Sequence, residues 1–205
     1  MLTEKYITGS CTINKGKVIK NGVNVFDKDA DLPDLLLYIY QHSQLNYPKF
    51  YKMDNLSKLG WLTAEILLKD SFKHENYQPE DTGVILANAN SSLDDDIKYF
   101  ESIKDVASPS LFVYTLPNIV IGEICIRNHF KGEQAFYIQP QFDAGFISQQ
   151  VNYLFDKNIL QACLCGWVEV LEQEYKAVLF LVERKENEDS VLFSTENMNN
   201  IFIKS

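Results

Sequence analysis

The segment Met53–Lys69 constrains the fold more than any other stretch. Leu56, Leu59, Thr63, Ile66 and Leu67 recur at three- and four-residue steps, the period of an α-helix. Trp61, Leu62 and Leu68 carry apolar surface round to the other side. A helix that is apolar on nearly every face packs between layers rather than lying on a surface. Thr82–Ala89, TGVILANA, is its counterpart: a short, almost continuously apolar run, the pattern of a buried parallel strand.

The remaining segments alternate in the same way. Cys11–Asn14 and Lys17–Phe26 read as strands split by Lys15-Gly16 and bent at Asn21-Gly22, a hairpin signal. Leu32–Gln44 is a dense apolar block whose Pro33 suits a first helical turn. Ser92 is the expected N-cap of a helix opened by Asp94, Asp95 and Asp96. Leu93, Ile97, Phe100 and Ile103 give that helix one apolar stripe. Ser108-Pro109 breaks the chain. Thr115–Phe130 restarts it as a buried helix, in which Gly122 is expected to admit a neighbouring backbone and Gly132 to end the run. Gln134–Gln139 reads as a strand, and Asp143 as the cap of a helix through Asp156. Ile159–Leu171 and Tyr175–Glu183 are two further strands, and the polar tail ends in a short apolar piece, Ile201–Ile203. This order predicts a single α/β domain over residues 1–205, with a mixed, mostly parallel five-stranded sheet between helical layers.

Composition narrows the function. Apolar residues make up 46% of the 205 and charged residues 23%, which excludes a disordered tail. No apolar run approaches the ~20 residues of a membrane-spanning helix. The N-terminal stretch MLTEKYITGS has no apolar signal region, so a cytoplasmic location is expected. A net charge of −9 repels phosphate backbones and argues against nucleic-acid binding. It also argues against docking by charge alone onto an acidic carrier protein.

The chemistry-bearing residues are sparse. Cys163 and Cys165 sit in an apolar run, so buried strand thiols are expected, and Cys11 and Cys125 offer no paired zinc-ligand spacing. His42, His74 and His129 are scattered. A metal reading of Asp94–Asp96 is weak, because consecutive residues point around a helix. No Ser-His-Asp context, G-x-S-x-G, P-loop or G-x-G-x-x-G is present. Glu123 is expected to be an ion-paired carboxylate on an apolar helix, and Asn88 and Asn90 to be turn formers. The most suggestive corner is the turn after Gln134–Gln139, where Pro140, Gln141, Phe142, Asp143 and Gly145 lead into a helix. A strand that runs into a helix N-terminus exposes one side chain beside free backbone N–H groups. The side chain here is a primary amide, which is no nucleophile.

Ser108 to Phe146, SPSLFVYTLPNIVIGEICIRNHFKGEQAFYIQPQFDAGF, resembles the N-terminal half of β-ketoacyl-acyl-carrier-protein synthases, enzymes of the thiolase-like fold. Thr82–Ile103 is similar to the preceding strand and helix of that family, and Phe50–Leu68 to its Met-Asp helix. The likeness covers about residues 50–183. It implies a layered αβα unit, half of a ketosynthase, with no cofactor and no metal. Aligned through Gly132 and Gly145, the family's nucleophilic cysteine falls on Gln141, so Gln141, Phe142, Asp143 and Gly145 form the equivalent elbow. The family's two catalytic histidines belong to a C-terminal half beyond this chain, and His129, read as lying on the buried helix, is not one of them.

Within that family, chain-length-factor subunits and decarboxylating loading synthases carry Gln at the cysteine position. The resemblance therefore implies a non-catalytic, chain-length-factor-like subunit in fatty-acid, polyketide or aryl-polyene-type synthesis. The implied partner is a second copy or an active ketosynthase, with acyl carrier protein as a further partner. Pairing runs through the strand Gln134, Ala135, Phe136, Tyr137, Ile138 and Gln139, which otherwise stands as an open edge. Half of a duplicated sandwich also leaves one layer uncovered, which favours a partner. Two other readings remain open at this point. One is a malonyl-thioester decarboxylase that uses Gln141 and the helix N-terminus after Asp143. The other is a binding or scaffold domain in which Gln141 is a turn residue.

Overall fold

The computed structural model describes residues 4–104 and 106–204. Met1–Thr3, at the start of the N-terminal stretch read above, lie outside these.

Strand β4 (Thr82–Asn88) is buried along its whole length. It pairs in parallel with β5 (Gln134–Ile138) on one side and β6 (Ala162–Leu171) on the other. β7 (Glu174–Glu183) returns antiparallel to β6, and β1 (Tyr6–Asn14) lies antiparallel to β7. β2 (Lys17–Lys20) and β3 (Val23–Asp27) extend that side, and β8 (Val191–Leu192) pairs with the start of β1. The path is β3-β2-β1-β7-β6-β4-β5. The expected layered αβα architecture is thus present, but two details of the expected sheet are corrected. Among the described residues it has eight strands rather than five, and five of its seven pairings are antiparallel. The parallel part is confined to β4, β5 and β6. The cause is the N-terminal segment: β1 begins at Tyr6, before the expected Cys11, and its length lets it join β7 and carry the hairpin.

Local chemistry explains the boundaries. Asn21 and Gly22 take φ of 49° and 78°, as a two-residue hairpin turn requires. Asp31 caps α1 (Leu32–His42), and Asp54 caps α2 (Asn55–Leu68) with bonds from the Leu56 and Ser57 amides. Ser92 does not cap α3 (Leu93–Ser102). Its hydroxyl instead donates to the Thr115 carbonyl at 2.7 Å. The expected helix over Thr115–Phe130 is the shorter α5 (Ile119–Asn128), and the expected break at Ser108-Pro109 instead opens a short α4 (Pro109–Val113). α6 spans Ala144–Asp156, and the polar tail forms α7 (Thr195–Lys204).

The strands alternate with period two, so each face of the sheet has its own core. Val84, Leu86, Leu164, Leu179 and Leu181 face α1, α2 and α5. Ile85, Cys163, Cys165, Val178, Phe180 and Val182 face α6 and α7. The layer expected to stand uncovered is therefore covered by the chain's own last helix, through Met198, Ile201 and Phe202.

The helical glycine pressed by its neighbours is Gly60, not Gly122. A Cβ on Gly122 would meet nothing within 4 Å, whereas one on Gly60 would lie 2.4 Å from Val120 Cγ2 and 3.3 Å from Val168 Cγ1. α2 thus touches both α5 and β6 through bare backbone. Gly→Ala in a helix ordinarily stabilises by up to ~1 kcal/mol. Gly60→Ala should instead destabilise by about 1–3 kcal/mol, because two buried β-branched side chains cannot move aside cheaply. Urea unfolding of the two proteins, with unchanged slope, checks this.

Candidate functional site at the β5 to α6 corner

β5 ends at Ile138, and α6 begins at Ala144. The five residues between them turn the chain from strand to helix. Gln139 donates its amide to the Asn88 carbonyl at 2.9 Å, which ties the turn to the end of β4. Gln141 is exposed at this corner. Asp143 caps α6, its carboxylate accepting the Phe146 amide at 2.9 Å. Gly145 is exposed in the first turn. Tyr137 packs edge-on against Phe146 and donates to Gln150 Oε1 at 3.1 Å, fixing β5 against α6. β5 itself is the edge strand, paired only with β4 among the described residues.

Phe142 points inward and meets a group that the sequence reading did not assemble. Its ring stacks on Phe202 of α7, with centroids 4.0 Å apart and planes 5° from parallel. The Lys176 ammonium lies 4.0 Å from the Phe202 centroid and donates to the Phe202 carbonyl at 2.8 Å. Trp167 and Phe180 border Phe142 from the sheet. Burial pulls the Lys176 ammonium below its ordinary range. The signal for α7 was legible: Met198, Ile201 and Phe202 follow helical spacing.

The other flagged residues separate into structural roles. Asn88 closes its own turn, exchanging bonds with the Ser91 backbone. Asn90 and the Ala89 amide both donate to Glu169, whose carboxyl burial pushes up. Glu123 is paired with Lys49 at 2.7 Å and accepts from Tyr47 at 3.4 Å. His129 is corrected: it is an exposed left-handed C-cap after α5, not a residue of the buried helix. All four thiols are buried. Burial raises Cys11 and Cys125 to about 12 and pushes Cys165 well up. Among the described residues no group of three His, Cys, Asp or Glu side chains is arranged to hold a metal, and no helix is long and apolar enough to cross a membrane.

The three aspartates of α3 diverge. Asp94 pairs with Lys98 and accepts the Glu172 amide. Asp95 turns inward, 3% exposed, and its Oδ2 finds no hydrogen-bond partner. Burial, then the charge of Asp54, raises the Asp95 carboxyl to about 6.

No protein-family model matches the sequence, and no curated protein matches it. Solved structures do. The ishigamide ketosynthase/chain length factor superposes with a TM-score of 0.67 at 16% identity, over 88% of this chain and 62% of that one. A type II polyketide synthase acyl-carrier protein in complex with its ketosynthase gives 0.61 at 15%, over 92% of this chain and 65% of that one. A ketosynthase in complex with its chain length factor, from Xenorhabdus doucetiae, gives 0.54 at 14%, over 91% and 81%. The chain spans less than two thirds of the length of the first two. It has the fold of ketosynthase and chain-length-factor subunits.

Asp95 generates a pH prediction. A carboxyl raised to about 6 in the folded state, against ~3.9 unfolded, binds its proton more tightly when folded. Its stabilising contribution is full below pH ~4 and lost as pH rises through ~6. Asp95→Asn should therefore be more stable than the parent by about 1–3 kcal/mol at pH 8, with the difference vanishing below pH 4. Denaturant midpoints across that range measure it.

Proposed function

We propose that this chain is a non-catalytic, chain-length-factor-like subunit, working as one domain in the cytoplasm beside another chain of ketosynthase fold in fatty-acid, polyketide or aryl-polyene-type synthesis. The observation that carries this reading is Gln141 at the strand-to-helix corner. A thioester intermediate needs a nucleophile there. The amide nitrogen's lone pair is delocalised, so Gln141 cannot supply one. The native thiols offer no substitute: all four are buried, and burial raises those of Cys11, Cys125 and Cys165.

The decarboxylase reading meets an electrostatic obstacle. An enolate would be stabilised by the free N–H groups of α6. The Asp143 carboxylate already takes the Phe146 amide at that helix end and would repel a second anion. The open edge of β5 supports the pairing role, with Gln134 to Gln139 as the pairing strand and a second copy or an active ketosynthase as partner. Such a partner would also bring the positive surface that an acyl carrier protein needs, since this chain carries a net charge of −9.

The test is to incubate the purified protein alone with acyl- and malonyl-acyl carrier protein. The expected result is no covalent loading, no condensation and no carbon dioxide release above the protein-free control. Sustained turnover by the isolated chain overturns the proposal.

A further inference from the structure

A cavity of about 330 Å³ opens at the N-terminal end of β4, where Thr82 meets the residues that end α5. The Gln141 corner follows the C-terminal end of β5, the parallel neighbour of β4. The length of a seven-residue strand, about 20 Å, therefore separates the two. The chemistry of the corner makes no use of this cavity.

Aromatic rings build its wall. Phe72 stacks on Tyr77, with centroids 5.2 Å apart and planes 8° from parallel, and meets Phe130 edge-on at 5.4 Å. His74 stacks on Phe130 at 5.8 Å. Phe72 and Phe130 are buried, and Tyr77 is held by donating to Glu183 Oε1 at 2.6 Å. The surrounding backbone is tied down as well. The Lys131 amide donates to the Pro79 carbonyl at 2.8 Å, and the Gly132 amide to the Thr82 carbonyl at 3.0 Å. The cavity is thus formed in advance, as small-molecule sites usually are.

Its charge runs against that of the chain. Arg127, His74 and His129 line the cavity and no Asp or Glu does, on a protein of net charge −9. The two carboxylates bonded to lining residues are already engaged. Glu183 accepts from Tyr77 and Thr8, and Glu65 from Arg127 and Asn128. Arg127 commits only its Nε to Glu65, at 3.1 Å, and its two terminal nitrogens make no hydrogen bond among the described residues. A guanidinium with its terminal donors open matches a carboxylate, and a flat aromatic wall matches a ring. The volume lies near the lower end of the ~300–1,000 Å³ range of ligand pockets, which suits a ligand of one ring.

We infer that this cavity binds a small aryl carboxylate, its ring against the wall of Phe72, Tyr77 and Phe130 and its carboxylate on Arg127. The site is independent of the Gln141 corner and of β5.

NMR of the full chain carrying ¹³C-labelled histidine tests it, with benzoate as the probe. The chain has three histidines: His74 and His129 line the cavity, and His42 ends α1 elsewhere. Benzoate should shift the His74 and His129 signals saturably, with a dissociation constant on the order of 1 mM or tighter, and leave His42 in place. Benzamide keeps the ring without the charge, and cyclohexanecarboxylate keeps the charge without the aromatic face. Each should bind at least about tenfold more weakly. Arg127→Lys retains a cation beside Glu65 but loses the planar fork, and should weaken benzoate at least about tenfold while leaving the melting temperature unchanged. Unmoved His74 and His129 signals, or a His42 signal that moves with them, overturn the site. Benzamide binding as tightly as benzoate, or Arg127→Lys binding benzoate like the parent, overturns the carboxylate assignment. Cyclohexanecarboxylate binding as tightly as benzoate overturns the aryl assignment.

Discussion

The parallel pairing of β4 with both β5 and β6 is the constraint from which the rest of the molecule follows. Parallel strands must be buried on both faces, and every residue of β4 is. That burial demands a helical layer on each side of the sheet. It also aligns the C-terminal ends of β4 and β5, which brings the α3 start and the Gln141 corner to one end of the molecule. The register Asn88↔Ile138, continued by the Gln139 amide on the Asn88 carbonyl, fixes where β5 stops and the turn begins.

The two layers are solved differently. The α2 side relies on close approach, with Gly60 set against Val120 and Val168 and with Trp61 stacked on Tyr47. The α6 side is finished by α7, whose Phe202 lies flat on Phe142 beside the corner. Removing water from that stack draws on apolar burial and on ring geometry together. The last helix thus seals the second face of the sheet, while the β5 edge and the apolar side chains of α3 and α4 stay exposed.

Much of this was legible in the residues. The all-round apolar pattern of Leu56 to Leu68 located the inner helix, TGVILANA the central strand, Asn21-Gly22 the hairpin and Asp143 the helix cap. These signals are local, and local chemistry decides them. Strand direction was not legible, because an apolar strand reads the same in either sense. The pairing of Tyr6 with Glu183 joins residues at opposite ends of the chain. The orientation of α3 was also hidden. Its stripe announces an amphipathic helix, but a stripe does not say whether the sheet or a second molecule covers it. At the corner, the position of Gln141 was readable and the Phe142–Phe202–Lys176 stack was not, since it depends on where a polar tail returns.

The central claim is that the corner where relatives by fold would mount a reactive group is chemically inert here. The most direct measurement is intact-protein mass spectrometry after exposure to an α-bromoacyl pantetheine, which alkylates accessible thiolates. The parent protein should remain unmodified, and Gln141→Cys should gain one adduct, mapped to residue 141. Rapid adduct formation on the parent would show that one of its own cysteines serves as the nucleophile, and would contradict the account.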